Sequence, residues 1–133
     1  IIDYNPKVIL TLGKHKINCI YGDVGDKGFI DELDFSKAKL VISTIPDEES
    51  NLIIKDRLNE VNNNAVFIAT SENPRNALDL YKSGIDYVIV PHHLGGDYAA
   101  NMIKKFHTEK GKYKLEGKKH LKELNEARKS SNF

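Results

Sequence analysis

Residues 38–47 read AKLVISTIPD, a short apolar run that ends in Ser-Thr and continues into a proline and an acidic residue. An apolar run this short, rich in Val, Ile and Leu, is typical of a strand that is buried on both faces of a parallel sheet. The carboxylates at residues 47–49 then favour a helix start, because negative charge stabilises the positive end of the helix dipole. The stretch therefore predicts a strand, a turn and a helix in succession.

The same alternation recurs on both sides of this stretch. Strands are predicted at residues 1–3, 17–21, 39–44, 65–70 and 87–90, and helices at residues 6–14, 27–33, 48–62 and 74–83. Asn5 places an N-cap side chain before the first-turn proline Pro6, and Gly13 and Gly84 stand where a left-handed helix C-cap is expected. The pattern predicts an α/β, Rossmann-like fold, in which a parallel sheet carries helices on both faces.

Length and composition narrow the function classes. The 133 residues suffice for one core but not for a cofactor domain plus a full substrate domain, which argues against a complete dehydrogenase. No apolar run approaches the roughly 20 residues that cross a bilayer. The single Cys19 excludes a disulfide framework within the chain and favours a reducing, cytosolic compartment. His92 and His93 are adjacent and the other histidines are scattered, so no metal site is expected.

Beyond the last predicted strand, residues 97–107 have the periodicity of a helix with one apolar face. That face consists of Ala99, Met102, Ile103 and Phe106. A simple strand–helix alternation leaves no strand for these side chains to cover. We therefore expect them to pack on the sheet edge or, in a homodimer, on a second subunit.

The end of the chain is basic. Residues 1–103 carry 10 Lys and Arg against 15 Asp and Glu, whereas residues 104–133 carry 10 against 4. Gly111 and Gly117 interrupt the start of this tail, so a weakly anchored helix is expected only over residues 118–129. A basic tail fits a membrane surface, a nucleic acid, an acidic partner or simply a solvated helix. Because aromatic residues are nearly absent from it, a nucleic-acid partner is not expected.

Ligands of open parallel sheets bind beyond the carboxyl ends of the strands, which directs attention to Asp3, Asp23, Thr44 and Pro46. An acidic residue that ends a strand accepts hydrogen bonds from ribose hydroxyls, although strand-ending Asp residues are also common turn formers. Asp23 suits an adenine amino group or, alternatively, the cap of the helix that starts at Lys27. Neither G-x-G-x-x-G nor G-x-x-x-x-G-K-[ST] occurs, so the sequence contains no recognisable phosphate-binding loop.

Four stretches in this order resemble the N-terminal lobe of RCK domains, also called Trk-type NAD-binding domains. They are residues 2–6 (IDYNP), 21–23 (YGD), 38–47 (AKLVISTIPD) and 77–91, which end in GIDYVIVP. The resemblance covers residues 1–107, and residues 95–98 (GGDY) look like the branch fused to Kef-type cation/proton antiporters. It implies a cytoplasmic, non-catalytic regulatory domain at the inner face of the membrane. Such a domain binds NAD(H) or an adenine nucleotide (AMP, ADP or ATP), dimerises and acts on the transport domain of a K+ or Na+/proton antiporter.

The resemblance also assigns site positions. Asp3 matches the ribose-binding carboxylate and Asp23 the acidic residue beside the adenine. The full set of implied cofactor-binding residues is Asp3, Tyr4, Asp23, Thr44, Ile45, Pro46 and Asn51. Two features depart from the family pattern. The usual first strand and its Gly-rich turn are missing, and Thr70 stands where many members have an arginine, so anion binding is weakened.

The missing strand leaves the architecture open between two outcomes. The five remaining strands either close in the order 2-1-3-4-5, or leave an apolar slot that upstream residues or a partner chain would fill. We expect a truncated RCK-type nucleotide-binding domain at residues 1–107 and a basic helical tail at residues 108–133. An alternative is the Rossmann half of an NAD-dependent oxidoreductase. A phosphoacceptor receiver is disfavoured, because the third predicted strand ends in Thr44-Ile45-Pro46 instead of an acid.

Overall fold

The computed structural model describes residues 1–130 of the chain. Short strands alternate with helices from the start, as the sequence pattern predicts. The elements are β1 (Ile2–Asp3), α1 (Pro6–Lys14), β2 (Ile20–Tyr21), α2 (Lys27–Glu32), β3 (Leu40–Ile42), α3 (Glu48–Val61), β4 (Val66–Thr70), α4 (Pro74–Lys82), β5 (Tyr87–Ile89), α5 (Pro91–Phe106) and α6 (Lys110–Ser130).

All strand pairs are parallel, and the predicted α/β class is confirmed. Strand β1 pairs with β2, with Ile2 opposite Ile20. Strand β4 lies between β3 and β5 in a second sheet. No pairing joins β1 to β3 within the described residues. The strands therefore do not close into one sheet of order 2-1-3-4-5, and the second of the two expected architectures, the open slot, is the one observed.

The core lies between the three-stranded sheet and the helices that pack on it. Phe67 and Ala69 of β4 are fully buried, as are Ile30 of α2 and Leu80 of α4. Burying a large apolar side chain stabilises the fold by about 1.5–3 kcal/mol relative to leaving it in water. Helices α2, α3 and α4 thus hold β3, β4 and β5 in place, and with them the residues that follow β3.

Helix ends follow the local chemistry of the sequence. Asn5 and Asn73 accept hydrogen bonds at the first turns of α1 and α4, and Gly84 adopts φ +89 after α4, as predicted. The C-cap prediction for Gly13 was wrong, because Gly13 lies inside α1. The chain reverses at Lys16 (φ 56) instead. There Ile17 N–H donates to Leu12 O at 3.0 Å, which closes a Schellman motif over the buried Leu12.

The chain forms two compact units, residues 1–94 and residues 95–133. In the second unit a turn at His107 (φ 49) separates α5 from α6, and the Phe106 and Tyr113 rings meet edge to face with centroids 5.5 Å apart. Helix α6 runs unbroken through Gly111 and Gly117, contrary to prediction. Each interior glycine costs about 1 kcal/mol relative to alanine, a cost that the surrounding Lys, Leu and Glu residues, all strong helix formers, offset. The last three residues of the predicted tail lie outside the described part of the chain.

Candidate functional site

A cavity of about 390 Å³ lies where β1 and β3 fail to pair. We call it the β1–β3 slot. Most of its wall is apolar, and Ile1, Leu40 and Ile42 are each at least half exposed along it. Its lining consists of residues 1–4, Gly22, Val24, Ile30, Phe35, Ala38, residues 40–45 and Ile54. The slot therefore reaches from the middle of the strands to the carboxyl ends of β1 and β3.

The slot brings together four of the seven predicted site residues. Asp3 and Tyr4 line it from the end of β1, and Thr44 and Ile45 line it from the end of β3. Asp23, Pro46 and Asn51 are outside its lining. Residues at the carboxyl ends of β1 and β3 thus line one cavity, although the two strands belong to different sheets.

The two candidate acids both close turns. Asp3 Oδ1 accepts a hydrogen bond from Asn5 N–H at 2.7 Å, and Asp23 Oδ1 accepts one from Gly25 N–H at 2.8 Å. Asp23 does not cap α2, because Asp26 accepts from Gly28 N–H at 2.8 Å in that role. Each acid therefore holds its loop with one oxygen and has a second carboxylate oxygen for a hydroxyl or amino donor.

Asn51 lies outside the slot lining and holds the loop after β3 in place through hydrogen bonds. Its side chain is fully buried, and its Nδ2 donates to the carbonyls of Ile45 and Asp47, both at 2.9 Å, and of Thr70 at 3.1 Å. These bonds join the loop after β3 to the end of β4. Asn51, predicted to touch a cofactor, is thus a positioning residue for Ile45 in this structure.

Thr70 has a similar structural role. Its hydroxyl donates to Ser43 O at 2.9 Å, where β3 and β4 end side by side. Ser43 is itself buried, and its Oγ has no hydrogen-bond partner among the described residues. Ser43 faces the slot without having been predicted as a site residue. Its position directly before Thr44 was the only signal that could have identified it.

Gly22, which follows β2, also lines the slot, although the sequence predicted no binding role for it. A Cβ atom at this position would lie 2.1 Å from Phe29 Cζ, closer than any real contact. The Phe29 ring therefore packs on the backbone of residue 22 itself. The Gly-Asp pair after β2 contained this signal, because a glycine there allows a close approach to the chain.

The start of α3 is negatively charged. Asp47 Oδ2 accepts hydrogen bonds from the Ser50 hydroxyl at 2.7 Å and from Ser50 N–H at 2.8 Å. These two bonds hold the pKa of Asp47 below its ordinary value of 3.8. Glu48 and Glu49 follow in the first turn. Since three carboxylates occupy this end of the helix, it is a poor site for phosphate, although helix N-termini commonly bind anions.

The chemistry available in the slot is recognition of a sugar or a base. Asp3 and Thr44, at one end of an apolar cavity, can bind hydroxyl and amino groups beside a flat ring. Nowhere in the described residues do three His, Cys, Asp or Glu side chains come together in a way that could hold a metal ion. No described helix has both the length and the hydropathy of a membrane span.

Comparison with known proteins adds a family match and several likenesses. A family model described as the TrkA-N domain matches residues 1–91. Potassium channel protein 1 of Methanocaldococcus jannaschii is 30% identical over 98 residues, which are 72% of this chain and 29% of that protein. The chain therefore spans less than a third of this relative.

Solved structures share the fold. The NAD(P)-binding domain of an exopolyphosphatase-related protein from Archaeoglobus fulgidus has a TM-score of 0.63 at 23% identity, over 78% of this chain and 77% of that one. The TrkA-N domain of the inner membrane protein ybaL from Escherichia coli has a TM-score of 0.64 at 16% identity, over 77% and 74%. The GsuK channel bound to NAD has a TM-score of 0.55 at 20% identity, over 68% and 16%. These likenesses confirm the Rossmann-like prediction.

Proposed function

Since this chain belongs to the TrkA-N domain family, we propose that it is the nucleotide-sensing, regulatory domain of a protein that transports monovalent cations. The observation that carries the proposal is the β1–β3 slot, which Asp3 and Thr44 both line, at the carboxyl ends of β1 and β3. This is where open α/β sheets bind nucleotides. The relative from Methanocaldococcus jannaschii, a potassium channel protein, supports the transport context.

The ligand we propose is NAD(H) or an adenine nucleotide. Asp3 would accept hydrogen bonds from the ribose hydroxyls with the oxygen that its turn leaves free, and Asp23 would accept one from the adenine amino group. Tyr4, Thr44, Ile45 and Pro46 would border the sugar and the phosphates. Support comes from the exopolyphosphatase-related neighbour, an NAD(P)-binding domain, and from the GsuK channel, which has been solved with NAD and with ADP.

The diphosphate needs a binding element that residues 1–133 do not supply. The acidic start of α3 repels it, and no Gly-rich loop is present. We propose that one parallel strand fills the slot between β1 and β3 and that its following turn binds the phosphates. Both facing strand edges have unpaired backbone groups, and the slot walls are apolar, as such a strand requires.

Regulation would then be a shift of populations. The nucleotide binds one arrangement of a homodimer better than another and so changes the state of the attached transport domain. We propose a K+ or Na+/proton antiporter as that transporter, at the inner face of the membrane, on the resemblance of residues 95–98. The domain itself would not be an enzyme, because the slot contains no acid–base pair suited to hydride transfer.

The proposed dimer face consists of Ala99, Met102, Ile103 and Phe106 on α5. Ile103 is 58% exposed, while Met102 and Phe106 are half-buried within the second unit. Ile103→Glu is therefore the sharpest test, since it puts a charge on the face without entering the contact between Phe106 and Tyr113. We expect the variant to have the mass of a monomer by light scattering. An unchanged mass would remove this face from the proposal.

Nucleotide binding is tested by titration calorimetry with NAD, NADH, AMP, ADP and ATP. Two proteins are compared, residues 1–133 alone and the same chain fused to the first strand and Gly-rich turn of a TrkA-N relative. We expect the fused chain to bind at least one nucleotide at submillimolar concentration and to bind it more tightly than residues 1–133 alone. Asp3→Ala should weaken that binding at least about tenfold, because hydrogen bonds to a charged group contribute about 1.5–3 kcal/mol.

The matched control is Asp56→Ala, which removes an exposed carboxylate of α3 that is not part of the slot. It should leave affinity unchanged. No binding of any of the five nucleotides to the fused chain at millimolar concentration would overturn the sensor proposal. NADH oxidation by the fused chain in the presence of an oxidised substrate would instead support the oxidoreductase alternative.

A further inference from the structure

Helix α6 concentrates its net positive charge on one side, because its glutamates lie away from that side. Positions 110, 114, 118, 121, 125 and 128 follow one another at intervals of three or four residues, so they share a face of the helix. We call this face the basic stripe, and it consists of Lys110, Lys114, Lys118, Leu121, Asn125 and Arg128. All six residues are exposed, and Leu121, in the middle, is 60% exposed.

The acidic residues of α6 lie elsewhere. At about 100° of rotation per residue, Glu116, Glu123 and Glu126 fall more than about 120° around the helix axis from the centre of the stripe. The ion pairs within α6, and the pair between Lys112 and Glu109 just before the helix, use Lys112, Lys119 and Lys122. None of these three lysines belongs to the stripe. Within the described residues no ion pair involves a stripe residue. The stripe is therefore a row of cations that the protein does not neutralise itself.

We infer that the basic stripe docks on the anionic headgroup surface of a lipid bilayer. The stripe spans 18 residue steps, about 27 Å at 1.5 Å per residue, so its four cations can reach separate headgroups. Lysine, a point charge on a flexible stem, suits dispersed phosphates. The exposed Leu121 lies among the cations and can add a small apolar contact to the attraction between the cations and anionic lipids.

A nucleic acid is the less suitable anionic partner. The stripe contains a single arginine and no aromatic ring, whereas proteins that grip nucleic acids combine basic residues with stacking side chains or bidentate arginines. A specific acidic protein face is also disfavoured, because protein hot spots are enriched in Trp, Tyr and Arg. The inference is independent of the nucleotide slot, since the stripe belongs to the other compact unit.

Co-sedimentation of the full 133-residue chain with vesicles tests the inference. We expect binding to vesicles that contain phosphatidylglycerol, none to vesicles of phosphatidylcholine alone, and loss of binding at high salt. The triple variant Lys110→Gln, Lys114→Gln, Lys118→Gln should bind on the order of 100-fold more weakly, because each basic residue near an anionic surface contributes about fivefold. The corresponding triple arginine variant keeps the charges and should bind like the wild type.

A second triple variant provides the matched control. Lys7→Gln, Lys14→Gln and Lys37→Gln remove the same net charge from exposed positions outside α6, and binding should change less than about threefold if each of these charges stays beyond a Debye length from the lipid. Circular dichroism of both variants checks the control condition, which is that they keep the helix content of the wild type. Equal weakening by the two triples, equal binding to both vesicle types, no binding at all, or tighter binding to a 20-base-pair DNA duplex at the same salt would each overturn the inference.

Discussion

The two sheets of residues 1–94 are built from similar sequences, but their strands differ in how deeply they are buried. In the three-stranded sheet, Phe67 and Ala69 of β4 are fully buried. In the two-stranded sheet, Ile20 and Tyr21 of β2 are 50% and 62% exposed. Both sheets come from short runs of Val, Ile and aromatic residues. Composition therefore selected strands in both places, but it did not determine how well they are packed.

The number of neighbouring strands accounts for the difference in burial between the two sheets. Strand β4 has a partner on each side, β3 and β5, whereas β1 has only β2 and faces the slot on its other side. A two-stranded pair is marginal in water, and three or more strands packed on helices are needed for independent stability. The β1–β2 pair is thus the part of the first unit that depends on whatever fills the slot.

The largest expected effect comes from replacing one aromatic residue in each sheet with alanine, which compares the packing of the two sheets. Phe67→Ala empties a fully buried site, and the free energy of unfolding should fall by about 3–5 kcal/mol. Tyr21→Ala removes a ring of similar size from an exposed site and should cost less than about 1 kcal/mol. Urea unfolding followed by circular dichroism measures both. Equal losses would mean that β2 is as well packed as β4.

The next test concerns the hydrogen bonds that join the ends of β3 and β4. Asn51→Ala leaves the carbonyls of Ile45 and Thr70 without their shared donor, whereas Asp47 O still accepts a bond from the backbone N–H of residue 51 at 3.2 Å. Each buried carbonyl left unsatisfied costs about 1–3 kcal/mol before relaxation. We expect a loss of at least about 2 kcal/mol in the same urea experiment. Asn59→Ala, at an exposed position of the same helix, should stay within about 0.5 kcal/mol of wild type.

A second readout separates positioning from mere stability. If Asn51 positions the end of β3 and the loop after it, hydrogen exchange at the amide of Ser43, which donates to Ile68 O at 2.8 Å, should accelerate in Asn51→Ala even in the absence of urea. Exchange in β1 should be unaffected, since no bond of Asn51 reaches that strand. A variant as stable as the wild type, with unchanged exchange at Ser43, would show that the three bonds are dispensable.

Local signals in the sequence predicted helices α1 to α4 well, whereas α5 begins at Pro91 and α6 at Lys110, before their predicted starts at residues 97 and 118. Helix α1 runs from Pro6 to Lys14, both bounds as predicted, because the Asn5 cap and the first-turn proline act within a few residues. The strand predicted at residues 17–21 is reduced to Ile20–Tyr21. Its length depends on a pairing partner across the sheet, and periodicity along the chain does not contain that information.

The candidate site also contains residues that the sequence could predict and residues that it could not. Asp3, Tyr4, Thr44 and Ile45 could be predicted as slot residues because they directly follow apolar runs. The role of Asn51 could not, since its bond to Thr70 joins positions 19 residues apart. That Ser43 is buried likewise depends on how β3 and β4 pack at their ends. The strand pattern in the sequence predicts which residues lie at the strand ends. It does not predict which residues of different strands contact one another, because those contacts depend on the folded structure.

The smallest expected effects come from the helix caps of the two halves. Asp47 caps α3 beside the three-stranded sheet, and Asn5 caps α1 beside the two-stranded one. Asp47→Ala should lower the free energy of unfolding by about 1 kcal/mol, as N-cap losses typically do. Asn5→Ala should cost only a few tenths, because the poorly packed β1–β2 half opens locally before the whole unit unfolds.

The Asp47 contribution should also depend on pH, with a definite sign. Hydrogen bonds from the Ser50 hydroxyl, and then from its backbone N–H, lower the folded-state pKa of Asp47 from 3.8. Its stabilisation is therefore fully present above the unfolded pKa and is lost as the pH falls through the folded one. The difference in unfolding free energy between the wild type and Asp47→Asn should shrink from about pH 6 to about pH 2.5. Asp34, whose pKa is lowered by Ser36, titrates in both proteins and cancels in this difference. A difference that stays constant with pH would show that the cap acts through its hydrogen bonds alone and that its charge adds nothing to α3.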